Sequence, residues 1–86
     1  MEKPKILSCV DKSEYITKVP LVELAGYKRV LIENHLGVIA YAPEEIQIKV
    51  SYGRLSVDGQ CLKFIQIDKN QLVITGQIDG VKLFRG

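Results

Sequence analysis

Glu45-Ile46-Gln47-Ile48-Lys49-Val50-Ser51-Tyr52 decides the fold class. Ile46, Ile48, Val50 and Tyr52 take alternate positions, with Gln47, Lys49 and Ser51 between them. Successive side chains of a strand face opposite sides, so this stretch has one dry face and one wet face. Gly53 breaks it, and Arg54-Leu55-Ser56-Val57 resumes with Leu55 and Val57 inward. Asp58-Gly59 reads as a hairpin turn, because both central positions of a type I′ turn need φ > 0. Cys61 to Ile67 reads as the return strand. There Leu62 and Phe64 alternate, and Ile65 and Ile67 then take the opposite phase, which predicts a bulge or burial on both faces. Asp68-Lys69-Asn70 turns the chain again. Leu72, Ile74, Gly76 and Ile78 share a phase, Asp79-Gly80 reads as a second hairpin dipeptide, and Val81-Lys82-Leu83-Phe84 closes the pattern.

The same punctuation extends upstream. Pro20-Leu21-Val22-Glu23-Leu24 reads as a strand entered at a proline, where the missing donor harms the ladder least. Ala25-Gly26 turns, Lys28 to Glu33 is a strand, Asn34-His35-Leu36-Gly37 is a short loop, and Val38 to Tyr41 is the partner strand. Ala42-Pro43-Glu44 fits a type I turn. The expectation is an all-β domain of about eight short strands over residues 19–86, as a small sandwich, a rolled barrel or a solenoid-like stack. Leu31, Ile46, Ile48, Val50, Leu55, Val57, Leu62, Phe64, Leu72, Ile74 and Leu83 are its expected core. Residues 1–18 show no clear period and are expected to form a loose N-terminal arm, in which Ile6, Leu7 and Val10 fit either a short helical turn or an added strand. One echo stands out. Leu55-Ser56-Val57-Asp58-Gly59-Gln60 and Leu72-Val73-Ile74-Thr75-Gly76-Gln77 share the frame Leu-x-(Val/Ile)-x-Gly-Gln. A solenoid repeat leaves such a trace, and so do two successive strands that both end at glycine turns.

Length and charge narrow the function. At 86 residues the chain is one domain with a thin core. Net charge is +2, with the lysines spread out, which lacks the basic stripe of a nucleic-acid binder. No apolar run reaches roughly 18 residues, so no transmembrane helix is expected, and the charged start lacks a signal-peptide pattern. A cytoplasmic location follows as the expectation.

Reactive groups are few. Cys9 and Cys61 make no disulfide framework and read as buried free thiols. His35 is the one histidine, and Glu33-Asn34-His35 has the residue types of an acid–base or metal site. No Cys-x-x-Cys or His-x-x-x-His spacing supports a metal, so no metal or cofactor is expected. Asn34 as a left-handed turn position and His35 as a loop cap account for the trio more simply. Asp58, Asp68 and Asp79 sit at expected turns, and no glycine set forms a phosphate-binding loop. Tyr27-Lys28-Arg29 is the one local pairing of an aromatic with cations that resembles a base-stacking surface. The expectation is a non-enzymatic protein without catalytic residues. The alternative is a small ligand- or nucleic-acid-binding β-barrel.

The stretch Pro20-Leu21-Val22-Glu23-Leu24-Ala25-Gly26 and the following Val30-Leu31-Ile32-Glu33-Asn34-His35-Leu36-Gly37-Val38 resemble the YabP/YqfC family of small sporulation proteins. The later frame, Gly53-x-Leu55-x-Val57-x-Gly59, Leu62 and Leu72-x-Ile74-x-Gly76-x-Ile78, fits the same family. The Glu-Asn-His-x-Gly loop resembles the YqfC-like members, although the N-terminal arm here is less basic than theirs. The resemblance implies a non-enzymatic role in building the spore, commonly beside a membrane protein partner of YqfD or YabQ type. It also implies a place at the forespore membrane or in the spore coat. It carries over no catalytic residue. Glu33, Asn34, His35 and Gly37 are carried over only as a contact loop. A thin core with strand edges also suits pairing with a protein partner or with a second copy.

Overall fold

A computed structural model describes residues 19–86. The N-terminal arm lies outside the described residues, as does Cys9. The described chain is all β: β1 (Leu21–Ala25), β2 (Arg29–Glu33), β3 (Val38–Ala42), β4 (Glu45–Val50), β5 (Gly53–Ile67) and β6 (Gln71–Arg85). They form one open antiparallel sheet in the order β1-β2-β6-β5-β4-β3.

There are six strands where about eight were expected, and the reason is local. Asp58-Gly59 and Asp79-Gly80 are not turns. Both dipeptides lie inside β5 and β6, strands of fifteen residues each. Asp58 pairs with Gly80 and Gly59 with Ile78, so Asp79 is an extra residue in the ladder. An Asp-Gly pair serves a bulge as well as a hairpin, because both need a locally adaptable backbone. The turn before β5 falls at Ser51-Tyr52, with Val50 opposite Gly53.

Strands of fifteen residues would be about 50 Å long if straight. Three register shifts along the β5–β6 ladder, at Asp58/Gly59, Gln60/Lys63 and Phe64/Gln66, bend it instead. The shifted register at Phe64/Gln66 is the bulge that the phase switch predicted. Ile65 and Ile67 end up exposed, so the alternative of burial on both faces does not hold there. The bend folds the sheet onto itself. Val30 and Ile32 of β2 share one buried cluster with Ile46, Ile48 and Val50 of β4, although β2 and β4 never pair. One layer holds β1, β2 and the start of β6. The other holds β3, β4 and the start of β5.

Most of the expected core is inside: Ile46, Ile48, Val50, Leu55, Val57, Leu62, Leu72 and Ile74 are buried, and Phe64 packs against them. Two expectations fail. Leu83 is half exposed: it lies opposite buried Leu55 on the inward face, but further from the bend than Val81, which packs on the cluster. Leu31 is only half-buried, because its neighbours Val30 and Ile32 take the inward phase of β2. Cys61, expected buried, is exposed and stands at φ 55 within the bend.

The Leu-x-(Val/Ile)-x-Gly-Gln echo has a structural meaning. Gln60 pairs with Gln77, and the sheet is approximately two-fold symmetric about that pair. On one side Ile46 faces Val57 and Ile48 faces Leu55; on the other Val30 faces Ile74 and Ile32 faces Leu72. Outside them, Tyr41 faces Ile46 as Leu24 faces Val30. The turns repeat the relation: the Gly59 and Leu62 N–H groups donate to the Glu44 and Pro43 carbonyls, and those of Gly76 and Ile78 donate to Lys28 and Tyr27. The echo therefore marks two halves crossing at a bend, not successive coils of a solenoid.

Candidate functional site

The loop Asn34–Gly37 carries the chain from β2 in one layer to β3 in the other. Asn34 adopts φ 64, a left-handed conformation that asparagine tolerates better than most residues. Its side-chain amide donates to the Val19 carbonyl at 2.8 Å. The backbone N–H groups of Asn34 and His35 both point at the Asn70 carbonyl in the β5–β6 turn. Leu36 N–H then donates to Lys49 O, and Lys49 N–H donates back to Gly37 O. The loop thus stitches the β5–β6 turn in one layer to β4 in the other.

His35 is buried at the centre of this stitch. Its Nδ1 accepts the Gly37 N–H at 3.0 Å, and its Nε2 lies 2.9 Å from the Asp68 carbonyl oxygen. An acceptor at Nδ1 and a carbonyl at Nε2 assign the proton to Nε2. Both ring nitrogens are spent on the backbone. Glu33 and Asn34 are half-buried beside it. The loop residue that offers apolar surface to solvent is Leu36, 60% exposed. The structure therefore gathers the four motif residues in one place, with the His35 ring turned inward onto backbone groups. Among the described residues, no three His, Cys, Asp or Glu side chains cluster as metal ligands.

The exposed features lie elsewhere. β3 is one edge of the sheet and reads Val38-Ile39-Ala40-Tyr41-Ala42, without a charge. Val38, Ile39 and Tyr41 are 40%, 51% and 52% exposed. Tyr41 is partly held: its hydroxyl donates to the Leu62 carbonyl at 3.0 Å and its ring lies 5.5 Å from that of Phe64. Pairing with β4 shifts between Val38 and Ala40, which leaves Ile39 as the extra residue on the open edge. An uncharged edge strand is a template for another strand. The loop motif drew attention in the sequence because histidine is rare there. The β3 edge gives a weaker sequence signal, the absence of any charged residue in five.

The outer face of the β4–β5 layer is polar. Ser56 is buried there, and its hydroxyl lies 3.0 Å from a Glu45 carboxylate oxygen and 3.2 Å from Asp58. Gln47 Nε2 donates to the same Glu45 oxygen at 3.1 Å. The bond from Gln47, then that from Ser56, hold the Glu45 carboxyl below the usual carboxylate range, with Arg54 adding to the effect. A folded-state value below the unfolded one adds stability at neutral pH, and that stability is lost as pH falls through the folded value. In a carboxyl NMR titration, Ser56→Ala is expected to move the Glu45 midpoint upward. An unmoved midpoint would remove Ser56 from the account.

Fold and loop together define, among the described residues, a small all-β domain of one sheet whose edge strands are β1 and β3. The chain belongs to the YabP family, whose family model matches residues 17–85. Membership points to a sporulation-related protein. No curated protein and no solved structure matches the chain.

Proposed function

We propose that this protein is a non-enzymatic β interaction module of spore morphogenesis, which captures a protein partner by adding that partner's strand to the β3 edge. The uncharged, exposed Val38–Ala42 edge carries this reading. An incoming strand finds unpaired backbone groups for affinity and the Ile39 and Tyr41 side chains for selectivity. The occupied nitrogens of His35 support the non-enzymatic half, since they leave the imbedded ring with a structural task. The family resemblance favours a membrane protein of YqfD or YabQ type as the partner, with this chain peripheral at the forespore membrane. No helix among the described residues is long and apolar enough to cross a membrane.

Ile39→Lys places a charge on the open edge at a residue already half exposed. Co-purification of the membrane partner from sporulating cells is expected to fall at least tenfold. The melting temperature should stay within a few degrees, as for other exposed substitutions. Partner capture at the wild-type level by a folded Ile39→Lys chain would sink the reading.

A further inference from the structure

The two-fold relation within the sheet places unlike charges at equivalent positions. At the corner of one half, the row Ala25–Arg29–Thr75–Lys63 crosses the sheet, with Lys28 in the adjoining turn. At the corner of the other half, the equivalent row is Ala42–Glu45–Asp58–Gly80, with Glu44 in the adjoining turn. The turn correspondence fixes the match, because the Lys28 carbonyl receives the Gly76 N–H as the Glu44 carbonyl receives that of Gly59. Side chains along one row share a face. Both rows face outward, because the next residues along, Val30 and Ile74 in one half and Ile46 and Val57 in the other, are fully buried. Lys28, Arg29 and Lys63 are exposed, and so are Glu44 and Glu45. The basic corner also flanks an open groove of about 600 Å³, lined by Tyr27, Lys28, Arg29, Cys61 and Gln77 among others, with no acidic residue in it.

We infer that copies of this chain associate head to tail, the basic corner of Lys28, Arg29 and Lys63 on one copy seating the acidic corner of Glu44, Glu45 and Asp58 on the next. Two equivalent surfaces of one shape and opposite sign form a heterologous pair, and such a contact leaves one free corner at each end of the growing chain. Like-sign corners repel, which fixes the orientation. The inference rests on the interaction-module reading and deepens it by naming a second copy as one partner. It uses surfaces other than the β3 edge.

The test is sedimentation velocity on the full chain, with reductant present because the exposed Cys61 thiol can crosslink copies. At about 20 mM salt and high protein concentration, the average mass should exceed twice the monomer value. It should return to the monomer at about 1 M salt, where the screening length is about 3 Å. Lys28→Glu/Arg29→Glu makes both corners acidic, and Glu44→Lys/Glu45→Lys makes both basic; each variant alone should stay monomeric. Mixed in equal amounts, they should associate again, a rescue that general destabilisation cannot produce. The single changes Lys28→Glu and Glu44→Lys, mixed in the same way, serve if a double variant fails to fold. A wild-type monomer at low salt, a dimer that grows no further, or failure of the mixture to associate overturns the inference. None of these outcomes touches partner capture by the β3 edge, which Ile39→Lys reads separately.

Discussion

Gly59→Ala is expected to cost about 3–5 kcal/mol, a large share of the fold's stability. A chain of this length has a total stability of about 4–13 kcal/mol. The cost is steric. Gly59 sits in the bend of β5, opposite Ile78, and a Cβ there would run into the Gln77 carbonyl oxygen and lie 3.2 Å from the Ile78 Cα. These are backbone atoms of a strand paired on both sides, so they cannot swing away as a flexible side chain does. Gly76 is its counterpart in the other half. It stands at φ 139, and a Cβ there would lie 2.6 Å from the Cys61 carbonyl oxygen. The two arms of the bend thus touch backbone to backbone at two related points. Gly80→Ala is the matched control, because its Cβ would meet nothing within 4 Å although it lies in the same ladder, opposite Asp58. It should change stability by about 0.5 kcal/mol or less. Thermal unfolding followed by circular dichroism reads both. Equal melting temperatures for the two variants would mean that the arms do not meet at Gly59.

The strands with one wet and one dry face were legible because period-2 alternation follows directly from strand geometry. β4 is the clear case: Ile46, Ile48 and Val50 alternate with polar residues and are all buried. The turns at Pro43-Glu44 and Asp68–Asn70 were legible for the same local reason, their turn residues, whereas Asn34–Gly37 was legible only as a loop: Val38–Tyr41 was expected to partner the strand before it and pairs with β4 instead, while β2 pairs with β1 and β6. The long strands were not. Asp-Gly favours a tight turn and an in-strand bulge through one property, backbone adaptability, so sequence cannot separate them without knowing what lies opposite. Here Asp58 lies opposite Gly80, a fact of the β5–β6 pairing alone. Leu83 was misplaced for the related reason that its phase is right and its distance from the bend is wrong. The candidate site divided in the same way. The His35 motif was visible as rare residue types, whereas the opposed corners appear only once the 17-residue echo is known to be a rotation. The charges at Lys28-Arg29 and Glu44-Glu45 look unremarkable along the chain.

His35→Ala is expected to destabilise the fold by about 2–4 kcal/mol, the second largest effect. Truncation removes the side-chain partner of the Gly37 N–H and of the Asp68 carbonyl, both in part-buried bonds, and opens a void of imidazole size where His35 is buried. The two bonds can be restored one at a time. Asparagine places an acceptor near the Nδ1 position, within reach of the Gly37 N–H. Glutamine reaches further and places a donor near the Nε2 position, toward the Asp68 carbonyl. Each should recover about 1 kcal/mol, the ordinary net worth of one hydrogen bond. Because Asn34–Gly37 joins the β5–β6 turn to β4, loss of the stitch should also raise amide exchange at Leu36 and Lys49 ahead of global unfolding. The series discriminates between roles. A structural histidine makes any loss of sporulation function follow the melting temperature, so that the partly rescued variants recover both together. A reactive histidine would instead give His35→Asn and His35→Gln chains that are folded yet as inactive as His35→Ala. Nitrogen NMR adds a direct reading: in the folded protein at neutral pH, Nε2 should carry the proton and Nδ1 should not. The reverse tautomer would break the bond to Gly37 on which the loop's path depends.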